Sequence, residues 1–246
     1  MRLLSLDIES RPALVWTFDL KIRGGYISHE KIKEPVRMLC FAAQWHEDDE
    51  VHFFSEWEHG LDGMADAIWK LLNEADVVLG YNSKRFDIPA INTELLLSGL
   101  KPPSPYQQID LYLVMKRFSL MSKSLKYSSK MLGTSRKLEH EGLDLWIKVL
   151  EGDEDARQRM RDYNCADVAA NFSLYERLLP WIPNHPNRGL YMGDEFACPN
   201  CGSQALRARG MAYTAVSEYR RYQCQDCGKW TRETRRNAYT TIREIA

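Results

Sequence analysis

The sequence predicts an α/β domain, a mixed sheet flanked by helices, followed by a small metal-bound module. Three observations carry this. Short apolar runs come first and then alternate with helical patterns, as expected where some strands are antiparallel and others are joined through helices. An apolar stripe at helical spacing, Cys165, Val168, Phe172, Tyr175 and Leu179, closes the domain. Two Cys-x-x-Cys pairs follow within the last 49 residues.

Each element has its own signal. Leu3 to Ile8 is a short apolar run that ends in acids and reads as a buried strand. Residues 10–35 are irregular, with Pro12, Gly24 and Gly25. They also mix aromatic with basic residues: Trp16, Phe18, Lys21, Arg23 and Tyr26. The favoured reading is a hairpin with its aromatics packed on the sheet; the other is a surface that stacks a base through Trp16. Val36 to His46 and Val51 to Ser55 are strands, Met64, Ile68, Leu71 and Leu72 mark a helix, and Val77 to Gly80 is a fourth strand. A helix from Pro89 to Leu97 starts with proline in its first turn. After the proline-rich loop 101–105, Gln108 to Leu111 reads as a fifth strand, and helical patterns run from there to Leu179. Pro180, Pro183 and Pro186 end them and stiffen a linker. The expected domains are 1–180, a linker 181–196, and a module 197–246.

Composition sets limits. Of 246 residues, 44% are hydrophobic and 27% charged, which excludes disordered, collagen-like and fibrous classes. No stretch approaches the roughly 18 apolar residues of a membrane helix, and Asp7 arrives too early for a signal peptide. The expectation is a cytoplasmic protein with no membrane partner. Net charge is −1, but Cys198 to Ala246 carries nine basic and four acidic residues, net +5, against −6 for the rest. A basic tail on an acidic body suggests an anionic partner held by the tail.

Several carboxylates stand at positions that chemistry can use. Asp7 and Glu9, two apart on a strand, share a face, and paired acids on a core strand are costly unless compensated. The alternative is a strand end already in water. Asp87 follows Val77 to Gly80 within Asn82-Ser83-Lys84-Arg85-Phe86-Asp87, in the kind of loop where α/β proteins hold their sites. It is also placed to cap the next helix. Tyr163 and Asp167, at i and i+4, are helix neighbours off the apolar stripe, on the side of Met160, Ala170 and Leu174. By themselves they read as a half-buried tyrosine beside a solvated acid. Asp110 reads as a helix cap and Asp162 as solvent-facing.

Taken in order, Asp-x-Glu, Asn-x-x-x-Phe-Asp and Tyr-x-x-x-Asp resemble the tyrosine-bearing branch of the DEDD superfamily of 3′→5′ exonucleases, over about residues 1–180. Gly80-Tyr81-Asn82 and the segment from Ser124-Leu125 through Leu132-Gly133 fit the same pattern. The likeness is to proofreading domains of family B DNA polymerases and to stand-alone phage exonucleases. The resemblance implies a ribonuclease H-like fold. It implies Asp7, Glu9, Asp87 and Asp167 as ligands of two Mg²⁺ or Mn²⁺, with Tyr163 orienting the attacking water. The implied reaction releases nucleoside 5′-monophosphates from nucleic-acid 3′ ends, single-stranded DNA being the preferred substrate, in phage or prokaryotic replication or repair.

The physics agrees. Two like charges 4 Å apart repel by about 4 kcal/mol at an effective dielectric of 20, so converging acids need cations or protons. Oxygen ligands favour Mg²⁺ or Mn²⁺ over zinc, and two such ions stabilise both oxygens of a displacement at phosphorus. A phenol, with an ordinary pKa of about 10, would position the water rather than act as a strong base. A structure-selective endonuclease on the same fold and an inactive nucleic-acid or partner-binding protein are the alternatives. The presence of all five motif residues speaks against the last. No polymerase or helicase motif accompanies them, and the chain is too short for a full replicative polymerase besides.

Cys198-Pro199-Asn200-Cys201 and Cys224-Gln225-Asp226-Cys227 are separated by 22 residues, and each second cysteine is followed by glycine. Four thiolates at this spacing suit one structural Zn²⁺, and the pattern resembles a zinc ribbon. A disulfide or redox pair is the competing reading. Cys40 and Cys165, lone in apolar patterns, read as core residues. In the ribbon, Tyr213, Tyr219, Tyr222 and Trp230 interleave with Arg207, Arg209, Arg220, Arg221 and Arg232, a mixture suited to single-stranded nucleic acid. The alternative partner is a replication or recombination protein.

Overall fold

The structure, a computed structural model, describes residues 1–18, 25–134 and 142–243. The chain divides into two compact units, Arg2–Leu174 and Tyr175–Ala246, the latter with Met1. The first contains β1 (Leu3–Arg11), β2 (Leu14–Val15), β3 (Ile32–Glu34), β4 (Arg37–Trp45), β5 (Val51–Ser55), α1 (Glu56–Glu74), β6 (Val77–Gly80), α2 (Asp87–Leu97), β7 (Gln107–Asp110), α3 (Leu111–Met115), α4 (Leu125–Leu132), α5 (Leu143–Leu150) and most of α6 (Glu154–Leu178).

The main sheet has the order β5-β4-β1-β6-β7, antiparallel from β5 to β1 and parallel from β1 to β7. It is the mixed sheet the sequence predicts. Leu4, Leu6, Phe41 and Ala43 point to one face, under α1 and α2, while Ala42, Cys40 and Leu39 point to the other and pack with residues of α5 and α6. A β-bulge opposite Glu9 and Ser10 lets the consecutive Leu39 and Cys40 face the same side. Because Asp7 pairs with Ala42 and Glu9 with Cys40, both acids face α6. Ser5 shares that face, and its hydroxyl donates to the Val168 carbonyl at 3.2 Å.

Three expectations change. β1 continues past Ile8 to Arg11, because β4 supplies backbone partners for its polar end. The segment after β1 does form a hairpin, β2 with β3, but this is a separate two-stranded sheet. Its aromatics therefore do not pack on the main sheet: Trp16 is 67% exposed, and Phe18 and Tyr26 are more so. Lys21 and Arg23 lie outside the described residues. Finally, α6 buries a broader face than the apolar stripe. Met160, Tyr163, Asn164, Asp167, Ala170, Asn171 and Leu174 are all buried, whereas Cys165 and Phe172 of the stripe are only half-buried.

The second unit holds the end of α6, then α7 (Arg188–Met192), β8 (Leu206–Tyr213), β9 (Ser217–Cys224), β10 (Trp230–Arg232) and β11 (Ala238–Tyr239). β9 is central, pairing with β8, β10 and β11, all antiparallel. The segment 181–196, expected as a stiff linker, carries α7 and packs into this unit. Ile182 and His185 are buried, Lys229 Nζ donates to the Ile182 carbonyl at 2.6 Å, and Asn200 Nδ2 to that of Leu179 at 2.6 Å. Among the described residues no helix is long and apolar enough to cross a membrane.

Candidate functional site

β1 delivers Asp7 and Glu9 to the face that α6 covers, and α6 delivers Asp167 to meet them. One carboxylate oxygen from each lies within 4.8 Å of the other two. Two of these side chains are half-buried and Asp167 is 2% exposed. At such separations the mutual repulsion is about 3–4 kcal/mol per pair at an effective dielectric of 20. An all-oxygen donor set of three acids fits hard divalent cations.

Asp87 approaches from the other side of β1. β6 pairs with β1 only as far as Ser5 and ends at Gly80, so the Ile8 N–H beyond it takes a side-chain partner instead of a strand. That partner is Asp87 Oδ1, at 3.1 Å. Burial raises the Asp87 carboxyl to about 6, against the lowering effect of the Ile8 and Asp87 N–H groups, with Asp110 adding to the rise. Asp87 is thus tied to the same strand as Asp7 and Glu9 but is not part of the three-acid cluster.

Tyr163 is 6% exposed, in the apolar cluster with Leu39, Leu145 and Met160, its ring edge-on to Trp146 at 6.4 Å. The neighbouring Asn164 was not singled out by sequence. It is fully buried, and its Nδ2 donates to Asp7 Oδ2 at 2.8 Å and to the Asp7 carbonyl at 3.1 Å. It therefore orients an acid of the cluster. The available signal was its place at i−3 from Asp167, on the same helix face. Asp110 caps α3 as expected, accepting from Tyr112 N at 3.0 Å. It does more: it accepts from Asn82 N at 2.8 Å and Lys84 N at 3.3 Å, holding the loop that leads to Asp87. Asn82 adopts φ +62°, which asparagine tolerates better than most residues.

Two clefts meet at Asp7. One, of about 430 Å³, is polar and lined by Tyr81, Asn82, Tyr112, Lys123, Ser124 and Asp167. The other, of about 650 Å³, is lined by Glu9, Asp87, Val36, Phe86, Leu143 and Trp146 and is mainly apolar. Trp16 lines neither; it has Lys33 Nζ 5.4 Å above its ring.

In the second unit the four cysteines converge, their sulfurs all within 4.8 Å. Cys198 Sγ is 3.6 Å from Cys227 Sγ, and Cys201 Sγ 3.6 Å from Cys224 Sγ. These are too long for disulfides, and all six cysteines are free. They approach the roughly 3.8 Å between sulfurs of a tetrahedral zinc site with 2.3 Å bonds. Gly202 N donates to the Cys198 carbonyl at 2.8 Å and Gly228 N to that of Cys224 at 3.1 Å. Both glycines sit at φ near +80°, so each knuckle closes on a left-handed residue. Burial raises the Cys201 thiol to about 11; at Cys224 burial is outweighed by the N–H groups of Cys227 and Asp226, which bring it to about 7.

Of the basic and aromatic residues singled out, Arg207, Arg221 and Trp230 occupy one face of the second sheet. Arg220 lies on the opposite face with Tyr222, and Arg209 sits in a bulge, its carbonyl accepting from Arg221 Nε at 3.0 Å.

Comparison with known families matches residues 32–179 to a family model described as RNase_H superfamily. No curated protein matches the chain. Among solved structures it is similar to Trypanosoma brucei RNase D, with 18% identity and a TM-score of 0.47, covering 72% of this chain and 57% of that one. It is likewise similar to Trypanosoma brucei RNase D in complex with RNA U12, with 19% identity, a TM-score of 0.46, and coverage of 72% and 55%. The chain thus spans a little over half the length of the RNase D chain in these two structures.

Proposed function

The chain belongs to the RNase H superfamily, and from that premise we propose that it is a metal-dependent 3′→5′ exonuclease, with single-stranded DNA as its preferred substrate. The observation that carries the proposal is the convergence of Asp7, Glu9 and Asp167 from β1 and α6. Asp7, Glu9, Asp87 and Asp167 would hold two Mg²⁺ or Mn²⁺, which supply Lewis-acid stabilisation of the attacking and leaving oxygens of a phosphodiester.

The protein's own groups do the rest. Asn164 fixes the Asp7 carboxylate. Tyr163, one turn before Asp167 on α6, would orient the attacking water through its hydroxyl. The apolar cleft with Phe86, Leu143 and Trp146 has the volume and lining for a terminal nucleoside. Lys123, in the polar cleft, would neutralise a phosphate of the strand leading away from it. A cleft beside the acids that can take a terminal nucleoside supports removal of terminal residues over internal cutting. The four cysteines would hold one structural Zn²⁺; the site is closed by its own ligands and takes no part in the reaction.

The test is a digestion time course on 5′-labelled single-stranded DNA and RNA of one sequence, with Mg²⁺, with Mn²⁺ and with chelator, beside Asp7→Ala. The expected result is a descending ladder and mononucleotides from the first turnover, faster on DNA, lost with chelator or in the variant. Internal fragments appearing first would make the protein an endonuclease. Equal activity in Asp7→Ala would remove the metal site from the reaction.

A further inference from the structure

The sheet of the second unit has two chemically distinct faces. Alternation along β9 puts Glu218, Arg220, Tyr222 and Cys224 on one and Tyr219, Arg221 and Gln223 on the other. The first face is the inner one at its Cys224 end, while Arg220 on the same face is exposed. Tyr222 and Cys224 are buried, Phe196 meets Tyr222 edge-on at 5.3 Å, and Glu233 accepts from the Tyr222 hydroxyl. Register carries the outer face onto the neighbouring strands. Arg207 and Trp230 lie opposite Gln223, Arg232 opposite Arg221, and Tyr239 opposite Ser217.

On the outer face arginines lie over rings. Arg232 is 3.7 Å from the centre of Tyr219, Arg221 4.7 Å from that of Trp230, and Arg236, just before β11, 4.6 Å from that of Tyr239. Among the described residues, no strand position of this face carries a carboxylate. The nearby acids are engaged elsewhere: Glu218 accepts from Asn237 Nδ2 at 2.7 Å and Glu233 from Tyr222. The rings remain open to solvent, Trp230 at 46% and Tyr239 at 65%. Stacking leaves a guanidinium's in-plane N–H groups able to meet an anion; in Arg221, whose Nε donates to the Arg209 carbonyl, the two terminal amino groups are left for that role. Stacking also fixes both side chains in advance, which lowers the ordering cost of binding. From Ser217 to Gln223 the face runs about 20 Å, at about 3.4 Å per residue. Its chemistry matches a polyanion that bears planar groups at regular intervals.

We infer that this outer face is a second nucleic-acid contact, made of residues separate from the carboxylate site. It binds a single strand without sequence preference, arginines pairing with phosphates and rings stacking on bases. The face does not depend on the hydrolytic reading, and its test avoids hydrolysis.

The test uses the full chain carrying Asp7→Ala, in zinc-replete buffer without chelator. Fluorescence anisotropy measures binding of labelled oligo-dT, oligo-U and a duplex of equal length across a salt series. Trp230→Ala and Arg221→Ala are each expected to weaken single-strand binding about tenfold. Arg221→Ala should also flatten the log–log salt slope by about 0.7. Arg220→Ala, adjacent in sequence and equal in charge but on the inner face, should stay within twofold, and the duplex should bind more weakly than either single strand. Zinc content identifies any misfolded variant, and Arg221→Lys, which keeps the charge, should keep the salt slope while losing affinity. Equal losses in Arg220→Ala and Arg221→Ala would overturn the assignment to one face. Equal binding of duplex and single strand would overturn stacking. Wild-type binding unaffected by any outer-face substitution would overturn the proposal and leave the surface to a protein partner. Comparison of the dT and U arms decides between DNA and RNA.

Discussion

Replacing Asn164 with alanine tests whether the acid cluster is oriented by a neighbour that is not itself an acid. The amide of Asn164 makes two hydrogen bonds to Asp7, one to a carboxylate oxygen at 2.8 Å and one to the carbonyl at 3.1 Å. A bond to a charged acceptor contributes about 1.5–3 kcal/mol, and at 1.36 kcal/mol per decade that corresponds to about 10–150-fold. Groups that orient metal-binding carboxylates and imidazoles typically change metal affinity or activity by about 10–100-fold, so the two routes agree. Asn164→Ala should therefore lower kcat/KM on a single strand by about 10–100-fold and raise the Mg²⁺ concentration needed for half-maximal rate, with partial recovery at saturating metal. Initial rates over a Mg²⁺ titration, well below the melting temperature of the variant, measure both effects. Asn164→Asp keeps the volume but sets a carboxylate at the same 2.8 Å from Asp7, a repulsion of about 6 kcal/mol at an effective dielectric of 20. It should be worse than alanine. A folded Asn164→Ala protein with wild-type rate and metal requirement would refute the reasoning.

Three other expectations follow from the geometry. In Gly80→Ala the new Cβ would lie 2.6 Å from Ser83 Cβ and 2.8 Å from Ser83 Oγ. Ser83 is buried, so denaturant unfolding should show a loss of about 1–3 kcal/mol, recovered in part by adding Ser83→Gly. Cys224→Ala should abolish stoichiometric zinc, measured by atomic absorption, and make residues 175–243 sensitive to proteolysis, because such small modules depend on their metal to fold. His185 is held near 4 instead of its usual 6.5, chiefly by burial, with Arg188 and Lys229 adding to the effect. The unfolded chain therefore binds the proton first. The stability of the second unit should be full above pH 6.5 and decline as pH falls from 6.5 to 4, by about 3 kcal/mol at most. His185→Gln should remove that part of the slope in pH-dependent melting.

Much of this was legible in the sequence because it was written in apolar residues. β4 and β6 are apolar runs, β5 alternates around Val51, Phe53 and Phe54, and β7 has only Ile109, yet all four lie within a residue of where the sequence predicts them. The end of β1 is polar and was missed, since strand pairing is a property of the backbone and Glu9, Ser10 and Arg11 give no apolar signal. On α6 the periodicity of apolar residues located the helix but not its most buried side. Asn164, Asp167 and Asn171 lie on that side, and a pattern that counts apolar residues reads them as solvated. Acid pairs and cysteine spacing marked residues that the fold brings together, because their types carry the chemistry directly. Asn164 was illegible for the opposite reason: an asparagine on a helix looks ordinary until the strand it touches is known. The aromatics Trp16, Phe18 and Tyr26 lie away from the main sheet because β2 and β3 pair only with each other, which a composition of aromatic and basic residues does not reveal.

The two halves of the acid cluster lie far apart along the chain, Asp7 and its partner Asn164 being 157 positions apart. At the roughly 5–20 residues per second of protein synthesis, about 8–31 s separate the appearance of the first from that of the second. During that interval the nascent chain carries Asp7 and Glu9 but lacks the helix that completes the cluster. On the proposed hydrolytic reading, the protein is silent while it is being made, and a chain whose translation stops short of α6 lacks Asp167 and Asn164 and stays so. Topology thus provides a form of timing: the last major element of the domain arms the first.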